Sequence, residues 1–252
     1  MLDLSIVIVN FHTEKYLAAC LSSLFVDNAK VNFEVILVDN GSDPQALSSL
    51  KKKFPQIKLL SPRTNPGFGK ANNLGAKSAR GKYLLFLNPD TLVPPDTIST
   101  VLTAVKDLPH LGAYSCQLRF ADSSIQPTGG YFPTLPRLFS WQIFSDFPPF
   151  SYFIRPVHLR ASAFTKAFSP DWLQGAFLLI PRLAFSKIGG FDEQIFMYAE
   201  DIDICLRLKQ AGLNIYYQPA PFITHLQSKA SSSSFALLSD IDGLKYRVKK
   251  YL

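Results

Sequence analysis

Glu200, Asp201 and Asp203 put three carboxylates within four residues, at the head of the apolar helical stretch Ile202, Cys205, Leu206, Leu208. Carboxylates there can cap a helix, or they can supply a base aimed into a cleft. Asp39 follows the apolar run Val35-Ile36-Leu37-Val38. It can accept a hydrogen bond from the imide N–H of uracil or thymine or from a ribose hydroxyl, or it can close an Asx-type turn through Asn40-Gly41-Ser42. Asp90 follows Leu84–Leu87 within Asn88-Pro89-Asp90-Thr91. That position suits a divalent cation on a diphosphate, because Mg²⁺ and Mn²⁺ prefer oxygen ligands and share phosphate oxygens with a substrate. One carboxylate seldom holds a metal alone. His225, after Phe222-Ile223-Thr224, is the candidate second ligand, with a structural role as the alternative.

Two further segments carry chemistry. Asn65-Pro66-Gly67-Phe68-Gly69-Lys70-Ala71-Asn72-Asn73-Leu74-Gly75 joins a loop to a helix start. Glycines let backbone approach a ligand, and helix N-terminal amides suit phosphate oxygens, although a turn and cap have the same composition. Trp172-Leu173-Gln174-Gly175-Ala176 precedes an apolar strand. Its small Gly175-Ala176 pair allows either a sugar ring against backbone or tight strand packing.

The elements that must position these residues follow from hydrophobic periodicity. Leu4–Asn10, Phe33–Val38, Ile57–Leu60 and Tyr83–Leu87 are apolar strand-length runs, and Leu17, Cys20, Leu21, Leu24 and Phe25 recur at helical spacing between the first two. A further helix is expected after Gly69. Strands apolar on both sides belong in a parallel sheet covered by helices. Ligands of such sheets bind beyond the carboxyl ends of the strands, which selects the loops at Asn10-Phe11-His12, Asp39–Ser42 and Asn88–Thr91. Beyond Ala113 the spacing predicts a hairpin of Ala113–Leu118 with Ser124–Thr128. It then predicts a strand at Gly175–Ile180, a helix at Asp201–Ala211, and short strands at Asn214–Tyr217 and Phe222–Thr224. Between them, Tyr131–Pro170 is crowded with prolines and aromatics that can stack on sugar rings, meet lipid or pack an irregular lobe.

The 252 residues are 47% hydrophobic, enough for one large α/β domain. Lys+Arg 26 against Asp+Glu 19 gives a net charge of +7, which can attract nucleic acid, anionic lipid or phosphorylated small molecules. Lys51-Lys52-Lys53 reads as a solvated helix face. The basic residues form no nucleic-acid recognition motif, so no nucleic-acid partner is expected. Three cysteines without metal-ligand spacing point to buried thiols in a reducing compartment. No apolar run reaches the about 18 residues of a membrane span, and the N-terminus does not read as a signal peptide. The expected location is the cytoplasm, with the basic, aromatic end Lys245–Tyr251 suited to peripheral contact with the inner face of the cell membrane.

In order and wording, Ser5–Phe11, Val38–Ser42, Asn65–Gly75, Leu87–Thr91, Trp172–Arg182 and Gly189–Arg207 through His225 resemble the family-2 inverting glycosyltransferases of GT-A fold. The nearest branch is the rhamnosyltransferase-like group that extends bacterial cell-surface polysaccharides. The resemblance spans residues 4–225. It implies an α/β, Rossmann-like, mostly parallel sheet flanked by helices, with a smaller mixed acceptor-side region. Residues 1–225 would form one GT-A domain, with a nucleotide-sugar half at 1–112 and an acceptor half at 113–225. A Ser-rich loop and a basic helix are expected at 226–252.

By that resemblance Asp39 binds the base of a dTDP- or UDP-sugar, with Asn10 and Phe11 beside it. Asn65, Gly67 and Asn72 lie along the nucleotide and diphosphate. Asp90 stands where the family's Asp-x-Asp motif ends, with Asn88 in place of its first Asp. A Mg²⁺ or Mn²⁺ ion would be shared by Asp90, the diphosphate and His225. Asp201 matches the catalytic base, Glu200 positions the acceptor or the base, and Trp172, Gly175 and Ala176 line the sugar-acceptor pocket. The acceptor would be a saccharide or a polyprenyl-diphosphate-linked saccharide, and rhamnose is a candidate for the transferred sugar. Asp203 and Arg207 stand i,i+4 on one helix, spaced for a supporting ion pair. The alternatives are an inactive sugar-nucleotide-binding module and a sugar-nucleotide pyrophosphorylase. The latter would carry a Gly-rich basic loop where this chain has Asn10-Phe11-His12-Thr13.

Overall fold

A computed structural model describes residues 2–26, 31–132, 157–197 and 199–226. The Ser-rich and basic segment expected at 226–252 lies outside them apart from its first residue, as does most of the aromatic stretch at 131–153.

The chain begins β1 (Leu4–Asn10), α1 (Glu14–Val26), β2 (Phe33–Asp39), α2 (Pro44–Lys53), β3 (Lys58–Leu60), α3 (Phe68–Lys77) and β4 (Tyr83–Leu87). Then come β5 (Thr91–Leu92), α4 (Thr97–Ala104), β6 (Leu111–Arg119), β7 (Ile125–Gln126) and β8 (Gly129–Gly130). The described elements end with β9 (Trp172–Leu173), β10 (Phe177–Pro181), α5 (Arg182–Lys187), α6 (Glu200–Gln210) and β11 (Asn214–His225).

The main sheet runs β3-β2-β1-β4-β10-β6-β11-β5, with β7 on the side of β6. Strands β3, β2, β1, β4, β6 and β11 share one direction, and among the described residues β10, β5 and β7 oppose it. Alternation along the strands feeds two cores. Ile6 and Ile8, Val35 and Leu37, Leu85 and Leu87, and Phe177 and Leu179 face α1, α2 and α4. Val7, Ile36, Val38, Leu84, Phe86, Leu178 and Ile180 face the opposite core, with Phe185 of α5 and Ile204, Cys205 and Leu208 of α6. Both faces are buried, which is why the strands read as unbroken apolar runs.

The expected β6–β7 hairpin is present, pairing Leu118 with Gln126 and Arg119 with Ile125. Two strands expected after Asn214 are instead one, β11. Pro219 and Pro221 carry no amide hydrogen, so the ladder on β6 shifts register between Gln218 and Phe222 and then resumes. Lys51-Lys52-Lys53 occupies the last turn of α2, and the Lys51 ammonium donates to the carbonyls of Pro55 and Ile57. Cations at that end offset the negative pole of the helix dipole, while Lys52 and Lys53 are exposed as the sequence predicts. Cys20, Cys116 and Cys205 are free and buried, and burial pushes the thiols of Cys20 and Cys205 up to about 12.

Candidate functional site

Register places the first cluster. β1 and β2 are parallel with Asn10 opposite Asp39, so both strands deliver a polar residue to the same sheet edge. The Asn10 side-chain amide donates to Asp39 Oδ1 (2.8 Å) and Ser42 Oγ (2.7 Å), while its own carbonyl accepts from Thr13 Oγ1 (2.5 Å). Asp39 Oδ2 accepts from the amides of Gly41 and Ser42 at 3.2 and 3.0 Å. The turn reading of Asp39 is therefore realised, and a buried carboxylate is held in a fixed orientation by three donors. Phe11 stands beside it with 42% of its surface exposed, while Asn10 is fully buried.

Asn40 links this cluster to α3. Its amide donates to Asn65 Oδ1 (3.2 Å), which also accepts from the Gly67 amide (2.9 Å). The Phe68 amide donates to the carbonyl of Phe196 (2.9 Å). These two amides at the start of α3 thus have partners within the chain. Gly67 has φ +88°, and a Cβ there would lie 2.5 Å from the Phe196 carbonyl oxygen, so glycine is required for backbone-to-backbone contact. Asn72 is buried and donates to the Phe68 carbonyl one turn back (3.1 Å). Lys70 makes an exposed 3.8 Å pair with Glu193.

The second cluster forms where β4 ends. β5 pairs antiparallel with β11, His225 opposite Thr91, which brings His225 to Asp90 across 135 residues of sequence. His225 Nε2 lies 3.3 Å from Asp90 Oδ1 and 3.3 Å from Asn88 Nδ2, and His225 Nδ1 lies 3.0 Å from Gln126 Oε1. Asp90 and His225 are both buried. The Asn88 backbone amide donates to the Ala176 carbonyl (3.0 Å), tying this loop to the start of β10. A Cβ on Gly175 would meet only the Phe68 ring, at 3.6 Å. Among the described residues no cluster of three or more His, Cys, Asp or Glu is arranged to hold a metal ion. The Asp90–His225 pair offers one oxygen and one nitrogen, a donor set compatible with a divalent cation that takes its other ligands from phosphate and water.

The third cluster opens α6. Asp203 is fully buried and accepts a hydrogen bond from Arg207 Nε (2.8 Å), with Nη2 in ionic contact at 2.7 Å, the i,i+4 pair its spacing predicts. Arg207 Nη1 also donates to the carbonyls of Ile188 and Gly190 at 2.8 and 2.6 Å. Glu200 is buried, whereas Asp201 keeps part of its surface in solvent and accepts from the Ile202 amide (2.8 Å). Trp172, on β9 beneath α6, is 5% exposed, and its indole N–H donates to the Val157 carbonyl (3.1 Å). Its polar edge is thus engaged inside the protein.

Asn73, which lies in the Asn65–Gly75 run but had no role assigned from sequence, ties α3 to residues 191–193. Its amide donates to the Phe191 carbonyl (2.9 Å) and Glu193 (3.2 Å), and its carbonyl accepts from the Phe191 amide (2.9 Å). Only the chemistry of an asparagine side chain, able to donate and accept at once, hints at such a clamp. Gln126 and Gln174 were likewise unremarkable in sequence.

The chain matches the model of "Glycosyl transferase family 2" over residues 5–159 and that of "Glycosyl transferase family group 2" over 83–237. It belongs to glycosyltransferase family 2, and the mixed α/β architecture above is the GT-A fold. It is 30% identical, over 88% of its length and 75% of the relative's, to an N-acetylglucosaminyl-diphospho-decaprenol L-rhamnosyltransferase of Mycobacterium tuberculosis. It is 29% identical to the rhamnosyltransferase WbbL of Escherichia coli, over 92% and 86% of the two chains. Among solved structures it is similar to GalNAc-T7 with UDP, GalNAc and Mn²⁺ (TM-score 0.68, 17% identity, 97% of this chain and 48% of the other). It is similar also to the mannosyltransferase PcManGT of Pyrobaculum calidifontis with GDP-Man and Mn²⁺ (TM-score 0.63, 18% identity, 96% and 64%). The chain spans about half to two thirds of those two proteins, and the likeness is one of fold.

Proposed function

We propose that the protein is an inverting, metal-dependent sugar transferase. It would move a sugar, rhamnose being the first candidate, from a dTDP- or UDP-sugar to a hydroxyl of a lipid-linked saccharide in cell-surface polysaccharide synthesis. The observation that carries the reading is the placement of two polar clusters, at Asn10–Asp39 and at Asp90–His225, along one carboxyl edge of the parallel strands. That edge is where open α/β sheets take their ligands. The rhamnosyltransferase relatives support the sugar and the lipid-linked acceptor, and the Mn²⁺-bound structures of the same fold support the metal.

Asp39, fixed by Asn10, Gly41 and Ser42, would receive the base, and Phe11 would lie against it. Asn65, Gly67 and Asn72 would flank the nucleotide. Asp90 and His225 would hold Mg²⁺ or Mn²⁺, which when bound offsets charge on the departing diphosphate. Asp201 would take the proton of the acceptor hydroxyl as that oxygen attacks the anomeric carbon opposite the diphosphate. The C–O bond to the acceptor forms as that to the diphosphate breaks. Of the three carboxylates opening α6, Asp203 is committed to Arg207 and Glu200 is buried, so Asp201 is the one with solvent access. Glu200 would orient it or the acceptor, and Trp172, Gly175 and Ala176 would floor the sugar pocket. We place residues 1–112 on the donor side and 113–225 on the acceptor side. Among the described residues no helix is long and apolar enough to cross a membrane. Peripheral contact with the inner membrane face through the basic end at 245–251 belongs to the same proposal, which flotation with anionic vesicles tests.

A panel of nucleotide-sugars, read by thermal shift and by Mn²⁺-dependent release of nucleoside diphosphate, tests the whole. Binding of a dTDP- or UDP-sugar is expected, and failure of every donor to bind would sink the transferase reading.

A further inference from the structure

His225 is held from both sides of its ring. On the Nδ1 side stands Gln126, 2% exposed and delivered by the β6–β7 hairpin, whose strand β6 also carries β11 in parallel register up to Thr224. On the Nε2 side stand Asn88 and Asp90. The Gln126 amide has a partner of its own, because its Nε2 donates to Gln174 Oε1 (3.3 Å), and the Gln174 main chain is held by its amide on the Thr128 carbonyl (2.8 Å).

A neutral imidazole has one nitrogen that donates and one that accepts. Gln126 turns a carbonyl oxygen toward Nδ1 at 3.0 Å, and a carbonyl can only accept, so the ring proton belongs on Nδ1. Nε2 then carries the lone pair, and Asn88 faces it with an N–H donor. The opposite tautomer requires the amide planes of Asn88, Gln126 and Gln174 all to turn over, and it would aim Nε2–H at the Asp90 carboxylate. The two tautomers have opposite consequences at this spot: one presents a ligand atom beside Asp90, the other a proton.

We propose that Gln126, oriented by Gln174, is a positioning residue that fixes His225 as the Nδ1–H tautomer and so keeps Nε2 available beside Asp90 to a divalent cation. Such an outer partner sets ring orientation and ligand basicity, and its loss typically costs a metal site about 10–100-fold in affinity. Asn88 has a share in the same arrangement. A carboxylate in its place would add to the pull that Asp90 Oδ1 already exerts on a proton at Nε2, whereas the Asn88 side-chain amide opposes that pull by donating to Nε2.

The metal part rests on the transferase reading above, and the tautomer part does not. Two-bond ¹H–¹⁵N correlation spectra of the full chain, with His225 assigned by the peaks lost in His225→Gln, read the tautomer directly. Mn²⁺ alone, followed by electron paramagnetic resonance, reads the site. Wild type is expected to show a protonated Nδ1 and a bare Nε2. Gln126→Met, similar in length but a far weaker hydrogen-bond acceptor, should move population to Nε2–H and weaken Mn²⁺ by about 10–100-fold. Gln126→Glu, which can still accept, should restore both, and Gln174→Ala should shift the tautomer less. An Nε2–H pattern in wild type overturns the proposal by itself, even if Gln126→Met does not fold. So does a folded Gln126→Met with unchanged tautomer and Mn²⁺ affinity. A bare Nε2 with no Mn²⁺ uptake keeps the relay and removes the metal from the proposed function.

Discussion

The two polar clusters on the strand edge are built in opposite ways. Around Asp39 the partners come from two neighbouring parallel strands and the turn that follows, and Asn10 and Asp39 meet because they share a register position. Around Asp90 the partners come from β4's loop, the β6–β7 hairpin, β9's loop and the end of β11, joined through antiparallel additions to the sheet. A cluster of the first kind is as firm as the sheet itself. One of the second kind depends on several long-range pairings holding at once.

The largest expected effect lies outside both clusters. Asp201→Asn should lower turnover by about 10²–10⁴-fold with donor affinity kept, as measured by single-turnover transfer and donor titration. Full activity in that variant would remove Asp201 as the base. Next comes the ion pair beneath it. Asp203→Ala leaves Arg207 buried without its carboxylate and should cost about 3–5 kcal/mol in urea unfolding. A loss under 1 kcal/mol would mean that the carbonyls of Ile188 and Gly190 suffice for Arg207.

The comparison itself is sharpened by Asp39→Asn against Asp90→Asn. The first should weaken binding of the nucleoside diphosphate equally with and without Mn²⁺. The second should weaken it only when Mn²⁺ is present, by calorimetry. Gly67→Ala should destabilise by about 1–3 kcal/mol, because φ is positive and the new methyl meets the Phe196 carbonyl.

The smallest effect tests the sheet under the Asp39 cluster. Burial raises the Glu34 carboxyl, but bonds from Ser5 and from the Arg80 backbone and guanidinium outweigh it and hold the group below its ordinary 4.5. A carboxylate depressed on folding adds stability in full above that value and loses it as pH falls through the lower folded one. Glu34→Gln should therefore lower stability at pH 7 and flatten the acid limb of the stability curve, by urea midpoints between pH 3 and 7 as an experimental range of roughly that width. Parallel curves for the two proteins would discard the idea.

The same contrast explains what the sequence disclosed. Strands β1, β2 and β4 are buried on both faces, so their apolar runs and the polar residues at their ends were legible, as was the Asp203–Arg207 spacing. Gln126 and Gln174 were not, because a glutamine in a short hairpin strand and another after a tryptophan have no periodicity to mark them. Their meaning arises only when β11 returns beside β6. The prolines of β11 look like a break because they remove ladder donors, yet the strand passes them in a bulge. Gly67 suggested a phosphate cradle, but its lack of a side chain is first explained by the contact with Phe196.

Asn73 has a consequence for anyone recombining these enzymes. It grips the Phe191 backbone by both its N–H and its C=O, and the neighbouring Phe68 amide grips Phe196, so α3 and residues 191–196 recognise each other through main chain as well as side chain. A chimera joined between the proposed donor-side and acceptor-side halves would take each from a different parent. Such hybrids should express as folded protein only when residues 65–75 and 189–196 travel together, which makes this pair a crossover unit for donor swapping.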